Sequence, residues 1–204
     1  MIKFDVKKEY PQLYRATNKK ISTIIVPKLK YIAIDGIGNP TVAEFKDKSK
    51  LMFLINKTLR RYYQSKGMSF NGAKLEGIWD TYDNSHFDVT RKKMIKYTLM
   101  IVQPPILTEQ ILEEIKEEIF AKTNDMYVLD VYLKEFEEGE CLQMLHIGPY
   151  NTEINSTKEI MEYITVANLK LSGFHHEIYL NKPERVEPEN LKTIVRYPVK
   201  EDLV

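Results

Sequence analysis

Apolar residues recur along this chain with two periods: every second residue in short β-branched runs, and every third or fourth residue in longer stretches. Ile21–Val26 and Tyr31–Ile34 read as two short strands or one bent strand, divided by Pro27, which lacks the N–H a central ladder needs. Gly36-Ile37-Gly38-Asn39-Pro40 reads as a turn. Thr41 with Glu44 three residues on has the spacing of a capping box, so a helix is predicted from there to Ser65-Lys66-Gly67, with Phe45, Leu51, Leu54, Ile55, Leu59 and Tyr62 on its apolar face. Leu75–Trp79 and Ile95–Val102 follow as strands around a polar Asp80–Lys93 hairpin. Thr108 opens a second amphipathic helix carrying Ile111, Leu112, Ile115, Ile119 and Phe120, with Glu113, Glu114, Glu117 and Glu118 as its solvated face. Val128–Phe136 is predicted as a strand, Glu137–Glu140 as a tight turn and Cys141–Ile147 as a strand. A helix over Asn151–Leu169 and strands at Phe174–Leu180 and Leu191–Arg196 complete the chain.

The order strand, helix, strand, strand therefore occurs twice, over about residues 21–105 and 141–200, joined by a linker helix and strand over about 106–136. Ile37-Gly38 matches Ile147-Gly148 (147 − 37 = 110), Glu76 matches Glu177 (177 − 76 = 101), and Pro104 matches Pro198 (198 − 104 = 94). The expected fold is α+β: duplicated β-α-β-β repeats with pseudo-twofold symmetry, antiparallel sheets side by side, helices packed on one side, and a central ligand cleft between the repeats. Residues 1–20, polar and without steady periodicity, are expected to form a surface arm on a single domain spanning 21–204.

Composition narrows the function classes. In 204 residues, 43% are apolar and 29% charged, enough for a substantial core. A net charge of +1 gives no electrostatic footprint for nucleic acid or an anionic membrane, so no direct nucleic-acid partner is expected. The single Cys141 rules out an internal disulfide framework and suits a reducing compartment, and beside Glu140 it lacks the electropositive setting of a reactive thiolate. The N-terminus has no apolar signal region, and no apolar run approaches the roughly 20 residues that span a bilayer. A cytoplasmic protein is the expectation.

The candidate chemistry centres on Glu177, a carboxylate inside the apolar, aromatic strand His175-His176-Glu177-Ile178-Tyr179-Leu180. A buried carboxylate pays desolvation unless a cation or donors compensate, so it suits a counter-ion for a lipophilic cation or a general base. Trp79, Tyr97, Tyr132, Tyr150 and Tyr179 are the aromatic residues available to wall such a site and to add cation–π attraction. His146 could orient a carboxylate or donate to a ligand. His175 shares the Glu177 face by strand alternation, whereas His176 points away, so the sequence assembles no metal set and implies no cofactor. Gly36-Ile37-Gly38 lacks the further residues of a nucleotide loop.

Three segments carry a resemblance: Glu138-Gly139-Glu140-Cys141-Leu142-Gln143-Met144-Leu145-His146-Ile147-Gly148-Pro149-Tyr150, His175–Pro183 and Lys192–Val199. With Asp35–Pro40, Leu75–Trp79 and Met100–Pro104 as first-repeat counterparts, the chain resembles the stand-alone GyrI-like small-molecule-binding family over about residues 20 to 200. That fold also serves as the effector-binding domain of AraC-type and MerR-type multidrug regulators. The resemblance implies a cleft that takes hydrophobic, often cationic, compounds against a buried acid, matched here by Glu177. One subset of the family hydrolyses cyclopropane-containing genotoxins. For such a hydrolase, Glu177 would be the general base, with Glu76 or a Tyr as proton donor. A third implied role is that of an effector-binding partner of a separate transcription factor. The oligomeric state is not set by the sequence.

Overall fold

The computed structural model describes residues 2–38, 43–81 and 95–202. The Thr41 start signal, Asn39-Pro40 and most of the hairpin after Trp79 lie outside these residues. The first elements are β1 (Ile2–Asp5), α1 (Val6–Glu9), a 3-10 turn (Pro11–Tyr14), β2 (Ser22–Val26) and β3 (Leu29–Ile37). Then come α2 (Ala43–Ser65), β4 (Met68–Asn71), β5 (Glu76–Thr81), β6 (Ile95–Gln103) and α3 (Glu109–Thr123). The second half holds β7 (Tyr132–Phe136), β8 (Gly139–Ile147), α4 (Ile154–Val166), β9 (Leu169–Leu171), β10 (His175–Tyr179) and β11 (Lys192–Glu201).

Several elements depart from the sequence pattern. Gly36-Ile37 continues β3 instead of turning, and Gly36 is required there because a Cβ would lie 2.2 Å from the Tyr97 ring. Residues 126–130 form a 3-10 turn, so the strand predicted from Val128 starts only at Tyr132. The short β1, β4 and β9 lack enough residues to show alternation. The N-terminal segment is not a surface arm: Val6, Leu13 and Tyr14 are buried, and β1 pairs in parallel with β4.

The halves do not form two sheets. One antiparallel sheet runs β2-β8-β11-β10-β5-β6-β3-β7, with β9 added on β11. β2 and β3 stand near opposite ends of this order, yet only Pro27-Lys28 separates them, a span of about 10 Å at most. The two ends must therefore meet, and the short β7-to-β8 link imposes the same closure. β2 pairs with β8 and β7 with β3, so each half lends its first strand to the other.

The registers define the pseudo-twofold. Ile37↔Lys96 maps onto Ile147↔Lys192 (147 − 37 = 110; 192 − 96 = 96), and Glu76↔Met100 maps onto His176↔Arg196 (176 − 76 = 100; 196 − 100 = 96). The pair Gly77↔Glu177 maps onto itself, so the axis passes through it. The counterpart of Glu177 is Gly77, and that of Glu76 is His176. The sequence offset of 101 is one residue out, and a slip of one residue sends a side chain to the other face.

Paired residues share a face, and α2 and α4 pack on the face that carries Glu177. On that outer face Ile32, Ile34, Leu99 and Ile101 share a buried cluster with Leu51, Met52, Ile55 and Leu59 of α2. Leu142, Met144, Val195 and Tyr197 cluster with Ile160 and Ile164 of α4. The inner face encloses Tyr31, Met100, Cys141, Ile178 and Ile194 together with a charged network.

Candidate functional site

Glu177 emerges at the pseudo-twofold, on the outer face between α2 and α4. Its neighbour His175, on the same face by alternation, is 1% exposed. The third member, Glu153, comes from the turn that opens α4 and is 2% exposed. His175 Nε2 lies 3.1 Å from Glu153 Oε1 and 3.1 Å from Glu177 Oε1, so its N–H donates to two carboxylates at once. The other ring nitrogen, Nδ1, is 2.6 Å from the Tyr197 hydroxyl, which also bonds the Thr157 side chain. Tyr179 bonds Glu177, and its ring meets Tyr150 edge-on at 6.0 Å.

Burial, then the charge of Glu177, pushes the Glu153 carboxyl up to about 7. Burial alone would depress His175, but Tyr197 and the hydrogen bonds to Glu153 and Glu177 outweigh it and hold the imidazole well above its usual range. Burial and Glu177 push the Tyr150 hydroxyl to about 12. The cluster therefore stores protons next to a partly open carboxylate and can act as acid, base or counter-ion.

On the α2 side, Phe45 stacks on Trp79 (5.6 Å between centroids, 24°) and meets Tyr97 edge-on at 5.1 Å. Gly77 makes room at the axis: a Cβ there would lie 3.0 Å from both Trp79 Nε1 and the Tyr179 hydroxyl. Trp79 and Tyr179 correspond through the offset of 100 and flank the axis from the two repeats.

Of the residues singled out from sequence, Glu177, Trp79, Tyr97, Tyr179, His146 and His175 share this outer face, and Tyr150 joins from the loop before α4. His146 reaches Ser156 Oγ, Thr152 Oγ1 and the Pro149 carbonyl, each at 3.2 Å, and so fixes the turn that presents Tyr150 and Glu153. Glu76 and Tyr132 are corrected: both lie on the inner face. Glu76 accepts from Tyr14 (2.8 Å) and stands 3.2 Å from His176 Nε2, which removes it as proton donor to a ligand at Glu177. The Tyr132 hydroxyl donates to Asp35, 3.2 Å away, on a strand at the far side of the sheet order. Sequence reasoning missed Glu153 and, as a wall of the site, Phe45. An acid in the first turn before a helix usually reads as a cap, and Phe45 looks like one more position of the α2 stripe. The expectation that the sequence assembles no metal set did not weigh Glu153, which reaches His175 and Glu177 only through the fold.

A family model described as the GyrI-like small molecule binding domain matches residues 19–200. The chain belongs to the GyrI-like family. Among the solved structures that the chain is similar to, several come from Listeria innocua. An uncharacterised conserved protein is 32% identical, with 98% of this chain and 100% of that one covered and a TM-score of 0.87. A protein described as a hydrolase is 30% identical, with 98% and 100% covered and a TM-score of 0.82. The C-terminal domain of EcmrR, 12% identical over 89% of this chain and 98% of its own, shares the fold at a TM-score of 0.58. No curated protein matches the chain. Among the described residues no helix is long and apolar enough to cross a membrane.

Proposed function

We propose that this GyrI-like protein binds hydrophobic, cationic small molecules in the cleft between α2 and α4, with Glu177 as the counter-ion and Trp79, Tyr179, Tyr150 and Phe45 as its aromatic walls. The observation that carries this reading is the pair of buried carboxylates, Glu153 and Glu177, sharing a single imidazole at 3.1 Å. A histidine neutralises one carboxylate, and the second is left to hold a proton or to face a cation. The aromatic groups around it add cation–π attraction worth about 0.5–2 kcal/mol each when desolvated. Ethidium, a planar lipophilic cation, is the probe. Its fluorescence is expected to rise on saturable binding to the wild-type protein, and absence of saturation would remove the reading.

A second reading, hydrolysis, is favoured by one feature: the Glu153 carboxyl at about 7 is matched to general acid–base work near neutral pH. In that reading Glu177 takes a proton from the water that adds to the ring, and Glu153, rather than Glu76, supplies the proton gained by the released ring carbon, relayed through the His175 imidazole that both carboxylates share. The full-length likeness to a protein described as a hydrolase supports testing it. Incubation with a cyclopropane-fused genotoxin, followed by ultraviolet absorption, separates the two readings. Multiple turnovers per protein establish the enzyme, and a change that stops at one equivalent or none leaves binding alone. A cytoplasmic location is part of the same proposal, supported by the free, buried Cys141.

A further inference from the structure

The Glu153–His175–Glu177 cluster, on which the organic-cation reading rests, also has a geometry suited to a smaller cation. Glu153 Oε1, His175 Nε2 and Glu177 Oε1 come together from the opening of α4 and from β10, and one ligand atom from each group lies within 4.8 Å of the others. The second oxygen of Glu153, Oε2, is fully buried and has no hydrogen-bond partner. A buried carboxyl oxygen of this kind is unfavourable unless a proton or another cation serves it.

We propose that Glu153, His175 and Glu177 form a binding site for one divalent first-row transition metal ion, of which Zn2+ and Co2+ are the test cases. Donor atoms bonded to such an ion at about 2.0–2.2 Å stand roughly 3.0–3.6 Å apart. The two 3.1 Å separations at His175 fall within this range, and the two carboxylate oxygens lie within 4.8 Å of each other. The ion takes the place of the proton on Nε2 and of any proton held by the Glu153 carboxyl, and these pass to solvent. One imidazole nitrogen with two carboxylate oxygens suits zinc, cobalt, manganese or iron, whereas an all-oxygen set would suit magnesium or calcium.

The surroundings complete the arrangement. A metal-binding imidazole generally donates its other N–H to a fixed oxygen, which sets the tautomer. Here Nδ1 faces the Tyr197 hydroxyl at 2.6 Å, and that hydroxyl is itself held by Thr157. Both ligands on β10 sit at i and i+2 of a strand central to the sheet, a rigid platform. Glu177, with 10% of its side chain exposed against 0% for His175 and 2% for Glu153, marks the side from which a fourth ligand or water would reach the ion.

The test is titration of the full-length, chelator-treated protein with Co2+, read by visible ligand-field absorption, and with Zn2+, read by calorimetry. One equivalent is expected per chain. Glu153→Gln and Glu177→Gln should each weaken it at least about tenfold, and Tyr197→Phe should weaken it about 10- to 100-fold at unchanged stoichiometry. Far-ultraviolet circular dichroism of each variant checks the fold, and the isosteric Glu153→Gln keeps the test valid if Tyr197→Phe does not fold. No saturable uptake by the wild type, or equal uptake by wild type and Glu153→Gln, overturns the site. Ethidium binding in the same metal-free samples reports on the organic-cation reading separately.

Discussion

Glu153 makes the cleft sensitive to pH. Its folded-state value, about 7, lies above the ordinary value of 4.5, so the folded protein keeps a proton that the unfolded chain releases. The resulting stabilisation is complete below about pH 4.5 and is lost as pH rises through about 7, an effect of up to about 3 kcal/mol at 1.4 kcal/mol per pH unit. Glu153→Gln keeps a neutral side chain of the same shape at all pH values. Thermal melts from pH 5 to pH 8 should therefore show the Gln variant gaining on the wild type as pH rises, and a constant difference would contradict the buried acid. The burial of Glu177 was legible in the sequence because a carboxylate interrupts an apolar strand. Glu153 was not, since its burial depends on the His146 contacts that fold the turn before α4 back onto β10.

At the scale of elements, the inner face is held by charges. Arg196 on β11 donates to Glu138 Oε2 (3.2 Å), to Gln143 Oε1 and to the Leu13 carbonyl (2.7 Å), and His176 Nδ1 bonds Glu138 at 2.9 Å. Burial works against the Glu138 charge, but His176 and Arg196 prevail and hold it at about 2. The same network fastens the N-terminal turn: Gln143 Nε2 donates to the Gln12 and Arg15 carbonyls, and Tyr14 donates to Glu76. Removing one partner of a buried pair leaves an uncompensated charge, so Arg196→Ala should cost about 3–5 kcal/mol in urea unfolding. Restoring neutrality with Glu138→Gln in the same chain should recover part of it. If the double variant is no more stable than the single one, the network is not what holds this face. These contacts explain why the expected surface arm is buried: its side chains show no periodicity because its backbone carbonyls make several of the bonds.

For the whole molecule, the duplication was readable as a repeated order of elements, but the exchange of β2 and β7 between halves was not. Strand patterns give the faces of a strand and say nothing of which neighbour it pairs with. That exchange, with the β10–β5 pairing at the axis, makes each half incomplete alone. A fragment of residues 21–105 lacks the partners of β2, of the outer edge of β3 and of one edge of β5, and should show no cooperative unfolding transition as a monomer. A stable, cooperatively folding monomeric half would contradict the closed arrangement. Closure also places the two aromatic groups related by symmetry, Trp79 and Tyr179, on either side of one acid. Under the proposed function this acid receives the ligand, and the direct measurement is an ethidium titration of wild type and Glu177→Gln at neutral pH, followed by fluorescence. The variant is expected to fold like the wild type and to bind at least about tenfold more weakly, in line with loss of a charge-assisted contact of about 1.5–3 kcal/mol. Equal affinity of the two proteins would contradict it.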